Sequence, residues 1–258
     1  MSTATVNVET RGAVAVVTLN RPAQSNTLSL QMGMDLLAAA MTCARSASVR
    51  AVVLCGAGKN FCFGGDLRGI TNKGGAEAHL RELTSYLHAA ISLFVRMDPP
   101  VIAAVRGTAA GAGIGLVAMA DLVVAGESAK FNLAYTGVGL TPDAGSSFLL
   151  PRAIGMRRAM ELILLNRTLS ANEAMHWGLI NRVVGDGEVM DEAFTLAEKI
   201  AAGPTRAFGK VKRLLAQSQG ALESQMVLEA ETIAAQAASA EGAEGIAAFL
   251  AKRKPVFP

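Results

Sequence analysis

Residues 100–115 read Pro-Val-Ile-Ala-Ala-Val-Arg-Gly-Thr-Ala-Ala-Gly-Ala-Gly-Ile-Gly. Val101 to Val105 is a short apolar run of β type. Five small residues follow, Ala109 to Gly113, and an uncharged run then continues to Ala120 and stops at Asp121. The pattern predicts a buried strand feeding a small-residue turn into a buried helix. The first N–H groups of such a helix have no intrahelical partner and sit at the positive end of its dipole. Small residues there let a ligand approach the backbone closely. The stretch is therefore a candidate anion site. Two plainer readings stand beside it. One is close packing of two helices. The other is a dinucleotide loop, because Gly111-Ala112-Gly113-Ile114-Gly115-Leu116 looks like part of G-x-G-x-x-G. That fingerprint fails: its third small position is Leu116, the unit sits mid-chain, and no acidic residue ends a strand at the required distance.

A chain of 258 residues is long enough to bury a large core in one domain with a smaller appendage. Its 51% hydrophobic content argues against disorder. No uncharged apolar stretch reaches the roughly 18 residues of a membrane span. The first residues show neither a basic n-region nor an apolar h-region, so no secretory signal is expected. Cys43, Cys55 and Cys62 are odd in number and lack metal spacing, which predicts reduced thiols, a cytoplasmic location and no metal. The net charge is +3, and the basic residues fall in short groups such as Lys210 to Arg213 and Lys252 to Lys254. Such groups suit a polyanionic small molecule as well as nucleic acid.

Working outward from the opening stretch, Val6 to Glu9 and Ala13 to Asn20 read as paired strands around Arg11-Gly12. Ser29 to Ala47 reads as a capped helix, Arg50 to Cys55 as a buried strand, and Glu77 to Met97 as a helix stopped by Asp98-Pro99-Pro100. The polar piece from Thr71 to Gly75 reads as mobile. Strand–strand–helix units thus recur over 6–47, 50–97 and 101–120, at a spacing of roughly 45 to 50 residues, which predicts stacked ββα turns of a superhelix. Short strands are expected at 122–125, 130–132 and 183–184. From Ser146 onward the chain reads as nearly all helix, and it turns from mixed to all-helical near residue 200. The change to an all-helical pattern predicts two regions, 1–200 and 201–258. The second is too small to stand alone, so it is expected to pack on another subunit.

Four motifs in this order resemble the crotonase (enoyl-CoA hydratase/isomerase) superfamily. They are Leu19-Asn20-Arg21-Pro22 with Asn26 and Leu28; Phe61-Cys62-Phe63-Gly64-Gly65-Asp66-Leu67; Ala109-Ala110-Gly111-Ala112-Gly113; and the closing Ala248-Phe249-Leu250-Ala251-Lys252-Arg253. The resemblance spans nearly the whole chain. It implies an α/β crotonase (ClpP-like) fold with a C-terminal helical trimerisation region, and so a homotrimer or a hexamer made as a dimer of trimers. It implies an acyl-CoA substrate, with coenzyme A as part of the substrate and no permanently bound cofactor. The family's shared step is an enolate of the thioester, its oxygen held by two backbone N–H groups; the matching positions are Gly65 and Ala112. Adenine is expected near Ala23, Gln24 and Ser25, and Phe249 and Lys252 are expected against the CoA. The pocket walls are expected in 70–86 and 133–138.

The acid/base positions depart from the hydratases of this family. Where those carry two glutamates, this sequence has Gly115 and Tyr135. Adding water across a double bond has to activate water and protonate carbon, work that suits two carboxylates. The one carboxylate in the region is Asp143. By its own sequence context it reads as an N-cap of the next helix. The stretch from Phe131 to Arg152, however, resembles the enoyl-CoA and ring-epoxide isomerases of phenylacetate degradation, in which an aspartate here is the sole acid/base. The segment from Ile154 to Leu169 resembles 4-chlorobenzoyl-CoA dehalogenase, whose aspartate is a nucleophile and whose histidine, matching His88, activates water. His88 also reads as an ordinary packed helix residue. The resulting expectation is an enoyl-CoA isomerase using Asp143, Gly65 and Ala112. Enoyl-CoA hydratase, aryl-CoA dehalogenase or thioester hydrolase, and a non-catalytic binder of acyl-CoA or RNA remain as alternatives. No nucleic acid or membrane partner is expected.

Overall fold

The structure is a computed structural model describing residues 4–70, 75–217 and 222–256. Residues 71–74, most of the piece read as mobile, lie outside the described residues. Chain order is β1 (Val6–Arg11), β2 (Val14–Leu19), α1 (Leu30–Arg45), β3 (Ala51–Gly56), α2 (Leu67–Ile70), α3 (Ala76–Arg96), β4 (Val101–Val105), β5 (Thr108–Ala110), α4 (Ala112–Ala118), β6 (Leu122–Gly126) and β7 (Lys130–Asn132). Then follow α5 (Ser146–Ile154), α6 (Met156–Leu165), β8 (Thr168–Ser170), α7 (Ala171–Trp177), β9 (Arg182–Val184), α8 (Val189–Ala201), α9 (Thr205–Gln217), α10 (Leu222–Ala237) and α11 (Ala240–Leu250).

The expected ββα units are present. The main sheet runs β1-β2-β3-β4-β6-β9, with β1 antiparallel to β2 and the remaining pairs parallel. Its central strands are buried on both faces, which is why they read as unbroken apolar runs. One face, including Val17, Leu54, Ala103 and Val123, meets the main core beneath α1 and α3. The other, including Val16, Val53, Ile102 and Val124, is covered by α8. The stripe on α8 is Val189, Ala193, Ala197 and Ala201, spaced at i+4, so small side chains let the helix lie close to the sheet.

The second sheet, β5-β7-β8, departs from the sequence reading. The sequence reads 109–113 as a turn and 167–170 as a connection between two helices; Thr108–Ala110 and Thr168–Ser170 are strands instead. Both are strands because they pair with β7, in parallel and antiparallel register respectively. Those partners lie 22 and 36–40 residues away, beyond the reach of local periodicity. In the second unit the second strand shrinks to two bridges, Cys62 with Ala109 and Gly65 with Leu28.

The C-terminal helices are tied to α3. Arg96 pairs with Glu223, Arg213 pairs with Asp98 at 2.6 Å, and Lys212 pairs with Asp121 at 2.7 Å while donating to the carbonyls of Phe94 and Pro99. Leu222, Met226, Ile233 and Ala234 of α10 enter the same core as the sheet. The three cysteines are free and buried, and burial pushes the thiols of Cys43 and Cys62 up to about 11 and about 12. Among the described residues no helix is long and apolar enough to cross a membrane.

Candidate active site

The two expected oxyanion donors meet at the end of the sheet. Leu28 donates its N–H to the Gly64 carbonyl at 2.7 Å and accepts the Asp66 N–H at 3.0 Å. Both neighbours of Gly65 thus turn toward Leu28, and the Gly65 N–H faces the opposite way. On that side lies the start of α4. Gly64 has φ +81, and a Cβ on it would stand 2.9 Å from the Ala110 carbonyl and 3.2 Å from the Ala112 nitrogen. Only glycine permits that backbone conformation and that approach. Ala112 is the first residue of α4, where an N–H has no intrahelical acceptor. Among the described residues neither the Gly65 nor the Ala112 N–H has a hydrogen-bond partner, and both residues line one cavity.

That cavity has a volume of about 560 Å³. Its walls are mostly apolar and include Leu80, Leu83 and Leu87 of α3 together with Leu133, Val138 and Leu140. Asp143 and Tyr135 line it too, as do Phe249 and Lys252 from the chain that ends α11. Ala23, Gln24 and Ser25 do not line it, but Ser25 accepts the N–H of the lining residue Phe63 at 3.1 Å. Asp66 is the other lining carboxylate. It is held by Arg21 at 3.0 Å and Arg68 at 3.1 Å, and these arginines outweigh its partial burial and keep it below the usual carboxylate range.

Asp143 is buried and does not cap the following helix. Its Oδ1 accepts the Tyr135 hydroxyl, and among the described residues Oδ2 has no partner. The N-cap of α5 is Gly145, and the helix N–H groups are taken by Glu229 instead: Gly145 N–H at 2.7 Å and Ser147 N–H at 3.0 Å. Burial pushes the Asp143 carboxyl above its ordinary value, against the pull of His88 and the Tyr135 hydroxyl. Burial together with the Asp143 charge raises Tyr135 well above a normal phenol, so it stays a donor.

Gly115 sits under this turn. A Cβ on Gly115 would stand 2.6 Å from the Ala144 Cβ and would also strike the Ala144 carbonyl. The space a longer side chain would need is filled by the segment carrying Asp143. His88 lies behind the turn, off the cavity lining. Its Nε2 accepts the Ala144 N–H at 3.2 Å, which puts the ring proton on Nδ1, and burial holds it below the usual histidine value. The residue that sequence reasoning missed is Glu229. It reads as one acid among several on a long helix, and nothing local distinguishes it from a solvated one.

The family model described as enoyl-CoA hydratase/isomerase matches residues 9–258. The chain is 38% identical over 247 residues to the 1,2-epoxyphenylacetyl-CoA isomerase of Escherichia coli K12, covering 95% of this chain and 94% of that one. It is 37% identical over 250 residues to 4-chlorobenzoyl coenzyme A dehalogenase-2 of an Arthrobacter species, covering 96% and 91%. The crystal structure of an enoyl-CoA hydratase from Mycobacterium avium subsp. paratuberculosis K-10 superposes with a TM-score of 0.90 at 30% identity, covering 100% of both chains.

Proposed function

The chain belongs to the enoyl-CoA hydratase/isomerase family, and from that membership we propose that it isomerises enoyl-CoA thioesters of Δ3/Δ2 or ring-epoxide type with Asp143 as the acid/base. It is an acyl-CoA enzyme of that family, and the thioester brings its coenzyme A as part of the substrate. The observation that carries the isomerase reading is the contact of Gly115 with Ala144. It leaves Asp143 as the one lining carboxylate, among the described residues, that is not neutralised by an arginine.

In this mechanism Asp143 Oδ2 takes a proton from the α-carbon of a 3-enoyl-CoA. The electron pair moves through the thioester carbonyl, and the oxygen gains charge between the Gly65 and Ala112 N–H groups. A preorganised donor of this kind stabilises the transition state by about 3–4 kcal/mol. The same carboxyl returns the proton at the γ-carbon, leaving a 2-enoyl-CoA and the starting enzyme. One base suffices because no water is added. The apolar walls and the raised carboxyl suit a base working near neutral pH. A hydrolytic role would require His88 to activate water, but its Nε2 lone pair is engaged by Ala144.

The test is conversion of trans-3-hexenoyl-CoA to the conjugated 2-enoyl thioester, measured beside crotonyl-CoA. Rapid enzyme-dependent loss of the crotonyl-CoA enone absorbance would overturn the reading in favour of hydration. An acyl- or aryl-aspartate trapped at Asp143 would overturn it in favour of hydrolysis. Tyr135→Phe should shift the acidic limb of the rate profile to higher pH. The hydroxyl stabilises the Asp143 carboxylate, so removing it raises that carboxyl further. A pH–rate series on the variant measures this, and an unmoved or lowered limb would count against Asp143 as the titrating base.

Lys252, with Phe249, is assigned to the CoA, and Ala23 to Ser25 to its adenine. We assign 1–200 to the superhelix and 201–258 to a helical region that associates with other copies of the chain in the cytoplasm. The support is the apolar surface of that region: Leu214 is 65% exposed and Val227 is 60% exposed. Light scattering is expected to give a trimer or hexamer, and a monomeric mass would refute the assignment.

A further inference from the structure

Glu229 is a buried carboxylate for which the mechanism above has no use. It reaches from α10 into the turn that carries Asp143. Its Oε2 accepts the Gly145 N–H, while Oε1 accepts the Ser147 N–H and the Ser147 hydroxyl. Gln225, one helical turn earlier, donates to the Ser147 Oγ at 2.8 Å. Three donors converging on two oxygens match an ionised, acceptor-only carboxylate.

The turn itself is strained. Ala144 has φ +56 and Gly145 φ +71, two left-handed residues in succession, and the first carries a Cβ. Such a conformation persists where the surroundings over-determine it. His88 takes the Ala144 N–H, and Glu229 takes the next one along the chain. Asp143 stands one residue before this pair, so the direction of its side chain follows from the turn.

We propose that Glu229 is a positioning residue whose carboxylate locks the Ala144–Gly145 turn and so aims Asp143 into the cavity. The inference rests on the reading of Asp143 as the acid/base. It links the C-terminal helices to the chemistry through α10.

The titratable groups facing this turn, among the described residues, are Asp143 itself, Tyr135 from the preceding segment and His88 from α3. Burial raises the Glu229 carboxyl to about 7; the Ser147 hydroxyl opposes this, the Asp143 charge adds to it, and the Gly145 N–H opposes it. Protonation of Glu229 removes an acceptor from the lock. Loss of its charge also eases ionisation of Asp143.

The experiment measures trans-3-hexenoyl-CoA turnover against pH for wild type, Glu229→Gln, Glu229→Ala and Glu229→Asp. Calorimetry with hexanoyl-CoA and a crystal structure of Glu229→Gln accompany it. Glu229→Ala should lower kcat about tenfold or more with the hexanoyl-CoA Kd within twofold of wild type. Glu229→Asp should restore part of kcat, because it keeps a carboxylate. Glu229→Gln should move the acidic limb of kcat to lower pH, and its crystal structure should show Ala144 outside the left-handed region. If Glu229→Ala fails to fold, Glu229→Gln carries the comparison at equal volume. The proposal falls if kcat, the limb and the Ala144 φ all stay at wild-type values. If instead Asp143→Asn retains turnover, the reading of Asp143 fails, and the crystal structure still decides whether Glu229 holds the turn.

Discussion

Asp143→Asn is expected to reduce turnover of trans-3-hexenoyl-CoA by about a thousandfold, the middle of the range for a lost general acid/base. Asparagine keeps the shape of the side chain and an oxygen to accept the Tyr135 hydroxyl. It cannot accept a proton from carbon. The oxyanion donors and the apolar walls are untouched, so the Kd of hexanoyl-CoA should stay within about threefold. Stability should move the other way. The folded-state carboxyl of Asp143 lies above its ordinary value, so the folded chain holds the proton more tightly than the unfolded one. Its contribution to stability is therefore lost as pH rises from the ordinary carboxylate value through the raised one. The neutral amide avoids that loss, and Asp143→Asn should melt at a higher temperature than wild type above this window, with the difference fading at acid pH. Steady-state kinetics and thermal melts across pH give both readouts. Unchanged turnover on every acyl-CoA tested would remove Asp143 from the chemistry.

Gly115→Glu restores the residue type that a hydratase would carry, yet it should give no hydratase. The new Cβ would stand 2.6 Å from the Ala144 Cβ, against a turn whose N–H groups are already fixed by His88 and Glu229. Overpacking of this kind destabilises by about 3 kcal/mol, near the upper end of its usual range. The turn would have to move for the variant to fold, and Asp143 would move with it. Hexenoyl-CoA turnover is expected to fall at least a hundredfold, with crotonyl-CoA hydration still at background. Urea unfolding supplies the stability figure. A variant of wild-type stability that hydrated crotonyl-CoA would show that the site has room for a second carboxylate.

Much of this protein is legible without coordinates because its core is periodic. The runs at 50–55 and 101–105 read as strands since the strands they form are buried on both faces. The small-residue turn at 109–113 reads as an anion site, since small side chains let a ligand approach the backbone closely; the part of Gly65 in it is implied by the family resemblance. The strands β5 and β8 escape that reading. Each has three residues, and each owes its existence to β7.

What the sequence by itself determined is the superhelix and the absence of a carboxylate at 115 and 135, which follow from residue types at fixed local spacings; the expectation of paired donors at Gly65 and Ala112 came from the family resemblance. What only the tertiary structure decided is how Asp143 is held: by a hydroxyl 8 residues away, by a turn whose N–H groups are taken from 56 and 84 residues away, and by close packing of that turn on Gly115 of α4. The physical reason is that hydrogen-bond partners of a buried turn are chosen by the packing of separate helices. Sequence periodicity shows which face of a helix is buried, and packing decides what that face will meet.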